Sequence, residues 1–507
     1  MSVKSYDAII IGGGHNGLVA AAYLAKADLR VLLLESASHL GGAAAEAEIA
    51  PGIYAPALAH LVEAMPRSIE RDLKLAKYGL QYPKLPLATI ALEQEGRHLH
   101  LSNPEKMAAS LGEADKAALK EFQREITFYA KLLLPLLAQP ALSAGADMRA
   151  YLHRLVLRLF ASRRGSLAQL LHLMPISIGD RLDAAFENPH LKAALAADAL
   201  LGSDQGPYEP GTWFHLLYRE ALRRLGRGQS VPIGGIGMLT SALASAAAAL
   251  GVDIQLGTRV IRIITRSESV TGVETETGAV YSAPVVISSL DPILTFETLL
   301  GRAALETQPA RRIEKNLSRG LSAKINLALD ARPHFRGLDE QDLNARLLVV
   351  PSLGELDRAY VQAKRGEEPL DALYEIVVSE TGAGSYILSA IKHYAPWENG
   401  ETVNPLEALL HMLDLYAPGI ERSVVSGEYL APHAIEKRFS LRGGGWYQGN
   451  MRVDQLMAFR PSPGFSQDVP AVSGLYLGGV GCHPGGGLSG LPGKFAAAAV
   501  MARRKRK

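Results

Sequence analysis

Near the start of the chain, three glycines, two polar residues and an acid stand where they could hold the phosphates and a sugar of a dinucleotide. Asp7-Ala8-Ile9-Ile10-Ile11 reads as a buried parallel strand running into Gly12-Gly13-Gly14-His15-Asn16-Gly17, a G-x-G-x-x-G turn. Gly12 permits the tight turn, Gly14 lets backbone approach a pyrophosphate, and Gly17 lets the next helix, Leu18–Ala27, pack closely on the sheet. His15 and Asn16 join the candidate set at the helix start, where unpaired N–H groups and the positive dipole end favour an anion. Val31-Leu32-Leu33-Leu34-Glu35 reads as the second strand, with Glu35 about 20 residues beyond the turn. A carboxylate there accepts from both ribose hydroxyls and disfavours a 2′-phosphate. A glycine fingerprint alone fits many loops; strand, turn, helix, strand and acid in register make it a dinucleotide site.

The elements that position these residues are spread along the chain. Residues up to about 65 form a first cofactor segment, and leucine-rich helical sequence dominates from Ile69 to about Leu225, broken at Pro104, Pro135, Pro140, Pro175 and Pro189. Glycine turns return at Gly234-Gly235-Ile236-Gly237, followed by helix Met238–Leu250 and strand Val252–Leu256. A strand at Thr258–Ile264, hairpin arms at Gly272–Thr275 and Ala279–Tyr281, and a buried strand at Val285–Ser289 complete this segment. Alternating runs at Ala323–Leu329, Ala372–Ser379, Tyr386–His393 and Val424–Leu430 predict an antiparallel sheet, which often carries a binding face. The end of the chain reads as strand Gly474–Gly481, a glycine-rich turn and helix Phe495–Arg503. The fold class is α/β: a Rossmann-type dinucleotide-binding domain assembled from 1–65, 228–300 and 440–507. It is interwoven with a substrate domain, 66–227 and 301–439, of antiparallel sheet plus helical cap.

Composition narrows the chemistry. At 507 residues the chain exceeds what one core usually serves. Its 53 Lys and Arg nearly cancel 51 Asp and Glu, so no global field calls for nucleic acid. The single cysteine, Cys482, excludes an internal disulfide and a dithiol redox pair; no metal site is expected. Met1–Ser5 is short and polar, which gives an expected cytoplasmic location. Gln229–Val252 has no charge but is diluted by Pro, Gly, Ser and Thr, so it reads as a buried helix rather than a span. Residues 148–179 lack acids and carry Arg149, Arg154, Arg158, Arg163 and Arg164 beside apolar positions at helical spacing. That pattern serves either a core helix with a solvated basic face or a peripheral contact with the inner membrane surface.

Glu35 followed by Gly41-Gly42 is similar to the flavin adenine dinucleotide (FAD) family of amine oxidases and carotenoid desaturases. With Gly12 to Leu18, Ser288-Ser289-Leu290-Asp291-Pro292 and His483-Pro484-Gly485-Gly486-Gly487, the sequence resembles the phytoene desaturase-like FAD oxidoreductases. The resemblance points to the branch containing pyridine nucleotide-disulfide oxidoreductase domain-containing protein 2. It implies FAD as cofactor, Gly41 and Gly42 near its flavin end, Val260 meeting the adenine through backbone, and Gly481 to Gly490 beside the flavin and ribityl chain. His483, by its place in that segment, is the candidate catalytic residue, with a structural hydrogen bond to the turn as the other reading. His60, Arg67, Trp446 and Tyr447 are weaker candidates, and Gln448 stands where relatives commonly carry histidine.

The expected function is an FAD-dependent oxidoreductase that removes hydrogen from a largely apolar small molecule, with oxygen, a quinone or another carrier reoxidising the flavin. Neither Gly235-Ile236-Gly237 nor Gly382-Ala383-Gly384 makes a convincing second nucleotide turn. Amine oxidation, polyene isomerisation and a noncatalytic flavin-bound scaffold share the same sequence features.

Overall fold

The parallel strands expected from the apolar runs align into one sheet. The computed structural model describes residues 5–140, 172–301, 307–315, 319–369, 371–382, 384–398 and 404–505. With strands numbered in chain order, the sheet runs β17 (Leu475–Leu477), β11 (Val286–Ser288), β1 (Ala8–Ile11), β2 (Val31–Leu34), β7 (Asp253–Gln255). Every pairing in it is parallel. β1 and β2 are apolar at every position because both faces are covered. Ala8, Ile10, Val31 and Leu33 pack with helices His15–Ala25, Gly237–Ala249 and Leu491–Arg504. Ile9, Ile11, Leu32 and Leu34 pack with Val260, Ile263 and Val273 of a three-stranded antiparallel layer, β8 (Val260–Arg266), β9 (Ser269–Thr275) and β10 (Val280–Ser282). Separated segments thus build one Rossmann-type unit.

The second sheet has seven strands, in the order β16 (Val424–Leu430), β12 (Ser322–Leu329), β15 (Ser385–His393), β14 (Leu373–Gly382), β13 (Arg346–Val349), β5 (Thr89–Ala91), β6 (Leu99–His100). The four strands legible as alternating runs are neighbours in it, all antiparallel. Its two faces differ in chemistry. Ile325, Leu327, Ile376, Leu388 and Ala390 pack with Leu409 and Leu413 of helix Pro405–Tyr416. The alternate positions, Lys324, Asn326, Arg346, Glu375, Ser389 and His393, are polar and buried. A hairpin, β3 (Glu46–Ala50) with β4 (Ile53–Pro56), joins the two units, since Ala55 packs against Ala328 and Ile387 of the large sheet.

Several expectations are corrected. The leucine-rich region is not uniformly helical, because β5 and β6 leave it to edge the large sheet. Pro135 does not break its helix, which runs from Glu113 to Leu137; so near the C-terminal end the ring disturbs only the last turns. The first helix starts at His15 rather than Leu18, and the last spans Leu491–Arg504, with Pro492 in its first turn. The charge-free stretch 229–252 contains a 13-residue helix, and among the described residues no helix is long and apolar enough to cross a membrane. Most of the basic stretch 148–179 lies outside the described residues, which resume at His172.

Candidate active site

The glycine turn is built by close packing. Gly12 holds φ +98°, and a Cβ on Gly17 would lie 2.0 Å from Gly12 O, so helix and turn touch only through glycine. Ser289 Oγ donates to Ile11 O (3.0 Å) and Gly12 O (3.1 Å), tying the Ser288–Pro292 motif to the turn. Gly41 N donates to Gly13 O at 3.0 Å, which sets Gly41 and Gly42 against Gly14. Gly14 is different. A Cβ built there meets nothing nearer than Gly41 O at 4.0 Å, and the helix it begins has no side-chain cap and no acid in its first turn. His15 Nε2 and Asn16 Oδ1 are buried with no hydrogen-bond partner among the described residues. An open cradle with unpaired N–H groups and two unpartnered polar atoms fits a dinucleotide pyrophosphate.

Glu35 closes the turn from the side: Oε2 accepts from Gly13 N at 2.6 Å and Oε1 from Ala37 N at 2.8 Å. Thr258 N donates to Glu35 O, which brings the start of β8 alongside. These residues open on a cavity of about 1050 Å³. Of the candidates, Gly12, Gly14, His15, Asn16, Glu35, Gly42 and Val260 line it, as do His60, Trp446, Tyr447 and Gln448. Gly17, Gly41, Gly481 and Gly490 do not; each lies where a Cβ would crowd a neighbour, Pro292 Cδ at 2.4 Å for Gly481 and Val19 Cγ2 at 3.0 Å for Gly490. Gly481 N instead donates to Gln448 Oε1 at 3.0 Å. Arg67 lies on a separate surface depression.

His483 is also absent from the cavity lining. Its ring stacks on Phe495, with centroids 6.1 Å apart, and Nε2 donates to Gln139 O at 3.0 Å. Burial pushes it down to about 4, so it is neutral. Cys482 is buried, and burial pushes its thiol up to about 12.

The cavity wall also carries a charged cluster of which the sequence singled out only His60. His60 Nε2 donates to Glu375 Oε1 at 2.9 Å, and His60 Nδ1 accepts from Lys324 Nζ at 3.3 Å; the carboxylate can only accept and the ammonium only donate. Arg346 Nε donates to Glu375 Oε2, and Arg346 Nη2 reaches Asp198 Oδ1 at 2.8 Å. Arg223 grips both oxygens of Asp198, at 2.7 and 2.8 Å, and Arg219 Nη2 donates to Glu63 Oε1. Burial alone would raise Glu375, but Arg346 and His60 outweigh it and hold the carboxyl well below its usual range. Burial pushes His60 down to about 4 and Lys324 to about 7; among the described residues no carboxylate lies within 4 Å of Lys324. The available signal was the polar residue at every second position, Lys324-Ile325-Asn326-Leu327 and Glu375-Ile376, in strands otherwise apolar.

Fold and site together define a flavin-type oxidoreductase class. A model of the NAD(P)-binding Rossmann-like domain matches residues 10–72. Pyridine nucleotide-disulfide oxidoreductase domain-containing protein 2 of Rattus norvegicus is 30% identical over 544 residues, covering 98% of this chain and 93% of that protein. A lycopene-forming phytoene desaturase of Pseudescherichia vulneris is 25% identical, covering 97% and 98%. Among solved structures, a putrescine oxidase mutant superposes with a TM-score of 0.65 at 15% identity, covering 99% and 100%. The chain belongs to the phytoene desaturase-like oxidoreductase family, in the branch of pyridine nucleotide-disulfide oxidoreductase domain-containing protein 2.

Proposed function

We propose that the chain is an FAD-dependent dehydrogenase that removes hydrogen from a small organic molecule of largely apolar skeleton, making a carbon–carbon double bond. The observation that carries this reading is the open cradle over Gly14, with His15 Nε2 and Asn16 Oδ1 unpartnered beside it. Gly12, Gly14, His15 and Asn16 would hold the pyrophosphate, Gly42 would bring backbone toward the flavin end, Glu35 would hold the ribose, and Val260 the adenine edge. Gly17, Gly41, Gly481 and Gly490 would act indirectly, by letting the surrounding backbone close up. Bound FAD supplies the hydride acceptor. The protein's own part is to exclude water with Leu58, Leu61, Ile391 and Leu488, and to keep His60 neutral and Glu375 ionised on the same wall. The name of the phytoene desaturase relative supports desaturation, and we assign reoxidation to oxygen, a quinone or another carrier. His483 then serves as a hydrogen-bonding strut of its turn.

Trp446 and Tyr447 favour one second reading, amine oxidation, because both line the cavity and aromatic faces attract ammonium groups. The visible spectrum of the purified protein under anaerobic conditions separates the readings. FAD absorbance bleached by a polyene or another largely apolar unsaturated compound supports desaturation. Bleaching by putrescine or cyclohexylamine alone supports amine oxidation, and protein that binds no FAD overturns both.

A further inference from the structure

We propose that the substrate carries a hydroxyl group, held between Arg219 and Glu63 on the charged wall of the cavity. This deepens the oxidoreductase reading and rests on it for calling the occupant a substrate. Both residues line the cavity. Arg219, on helix Thr212–Arg223, is only 5% exposed. Its Nη1 donates to Asp198 O (2.9 Å) and Leu201 O (3.1 Å), and its Nη2 to Glu63 Oε1. Its Nε has no acceptor among the described residues. Glu63 Oε1 receives Arg219, Arg223 and Gln229, whereas Oε2 receives no donor among the described residues. That second oxygen lies beside Gly487, another lining residue: a Cβ built on Gly487 would be 3.4 Å from it.

One donor and one acceptor are therefore left over on two paired side chains. A hydroxyl satisfies both, because it accepts from the guanidinium and donates to the carboxylate. A carbonyl would answer only Arg219. A carboxylate would face Glu63, and an ammonium would enter a cluster in which Lys324, Arg219, Arg223 and Arg346 already outnumber Glu63, Asp198 and Glu375. A pure hydrocarbon would leave Arg219 Nε, already shut off from water, without an acceptor and would strip water from Glu63 Oε2. The pair is also held rigidly. Arg223 joins Glu63 to Asp198, and Asp198 is held in turn by Arg346, so neither group is free to swing away and find another partner. Burying this many charges is costly against an apolar wall of the same volume, which fits a wall built to read a polar group.

Crystals grown with FAD and soaked with cyclohexanol or methylcyclohexane test the inference. The expected result is the cyclohexanol oxygen within hydrogen-bonding distance of Arg219 Nε and Glu63 Oε2. In solution, perturbation of the flavin spectrum should show cyclohexanol binding at least about tenfold tighter, the least that the two hydrogen bonds together should give. Arg219→Met should erase that ratio. Alcohol seated elsewhere, no alcohol in the cavity, or equal affinity of the two compounds in the wild type overturns the inference, whether or not the variant folds. FAD density along Gly12–Gly17 reports separately on the cofactor. FAD in place with the alcohol away from the wall sinks only this inference; alcohol on the wall with no FAD sinks the dehydrogenase reading instead.

Discussion

Arg346 on β13 and Glu375 on β14 form an ion pair almost wholly out of water, on the one face of the large sheet that is not apolar. Glu375 also accepts from His60 and Arg346 also donates to Asp198, so the pair joins the cavity wall to the cap helices. Arg346→Leu should leave Glu375 without its main partner and Asp198 with Arg223 alone, and cost about 3–5 kcal/mol of stability. A melting temperature within a degree or two of wild type would refute the account.

Buried histidines set the acid side of the stability profile. Burial holds His60 and His483 at about 4, and His215 and His393 at about 3, against 6.5 when unfolded. Between pH 6.5 and 4 the unfolded chain therefore binds more protons, so stability falls as pH falls, by up to ~1.4 kcal/mol per unit for each histidine. Lys324 acts at the other end. Its folded value of about 7 lies below the unfolded 10.5, so its destabilising effect is complete below pH 7 and fades as pH rises toward 10.5. Lys324→Met should thus stabilise the protein most at pH 6 and least at pH 10, measured by urea unfolding across that range.

The middle and last glycines of the turn should separate folding from binding. Gly17→Ala places a methyl 2.0 Å from Gly12 O and should cost about 1–3 kcal/mol through overpacking. Gly14→Ala meets nothing within contact distance and should fold normally while losing FAD affinity, because the methyl occupies the cradle. Melting curves and flavin fluorescence titration, done on both variants, check this; a Gly14→Ala protein that retains full affinity would remove the pyrophosphate from that position.

The Rossmann-type unit was legible because its signals are local. The turn from Gly12 to Gly17, the strand ending in Glu35 and the apolar run around Ile287 each declare themselves within a few residues. The four alternating strands were readable for the same reason, as period-2 patterns. β5 and β6, three and two residues long, carry no such pattern and are fixed only by pairing, β5 with β13 and β6 with β5. The charged cluster was hidden differently. His60, Asp198, Arg219, Lys324, Arg346 and Glu375 come from widely separated segments, and only the packing of the cap helices on the sheet unites them. His483 shows the converse: adjacency in sequence to glycines expected beside the flavin does not turn a side chain toward the cavity.

The geometry of His483 leads to the last prediction. Its Nε2–H bonds to Gln139 O, its ring stacks on Phe495, and the chain on either side is held by Gln467 Nε2 donating to His483 O at 3.1 Å and Tyr218 OH donating to Pro484 O at 2.7 Å. A residue so anchored shapes the turn through Gly487 and Leu488, which do reach the cavity. His483→Gln can keep a donor near Gln139 and should retain most turnover, whereas His483→Ala should lower the melting temperature and loosen FAD binding together. Both variants should leave the pH profile of turnover unmoved, since a histidine held at about 4 stays neutral and changes no protonation state in the working range. If His483→Gln binds FAD normally yet loses turnover by about 100-fold or more, the span of general acid–base catalysis, the ring is acting on substrate and the strut assignment fails.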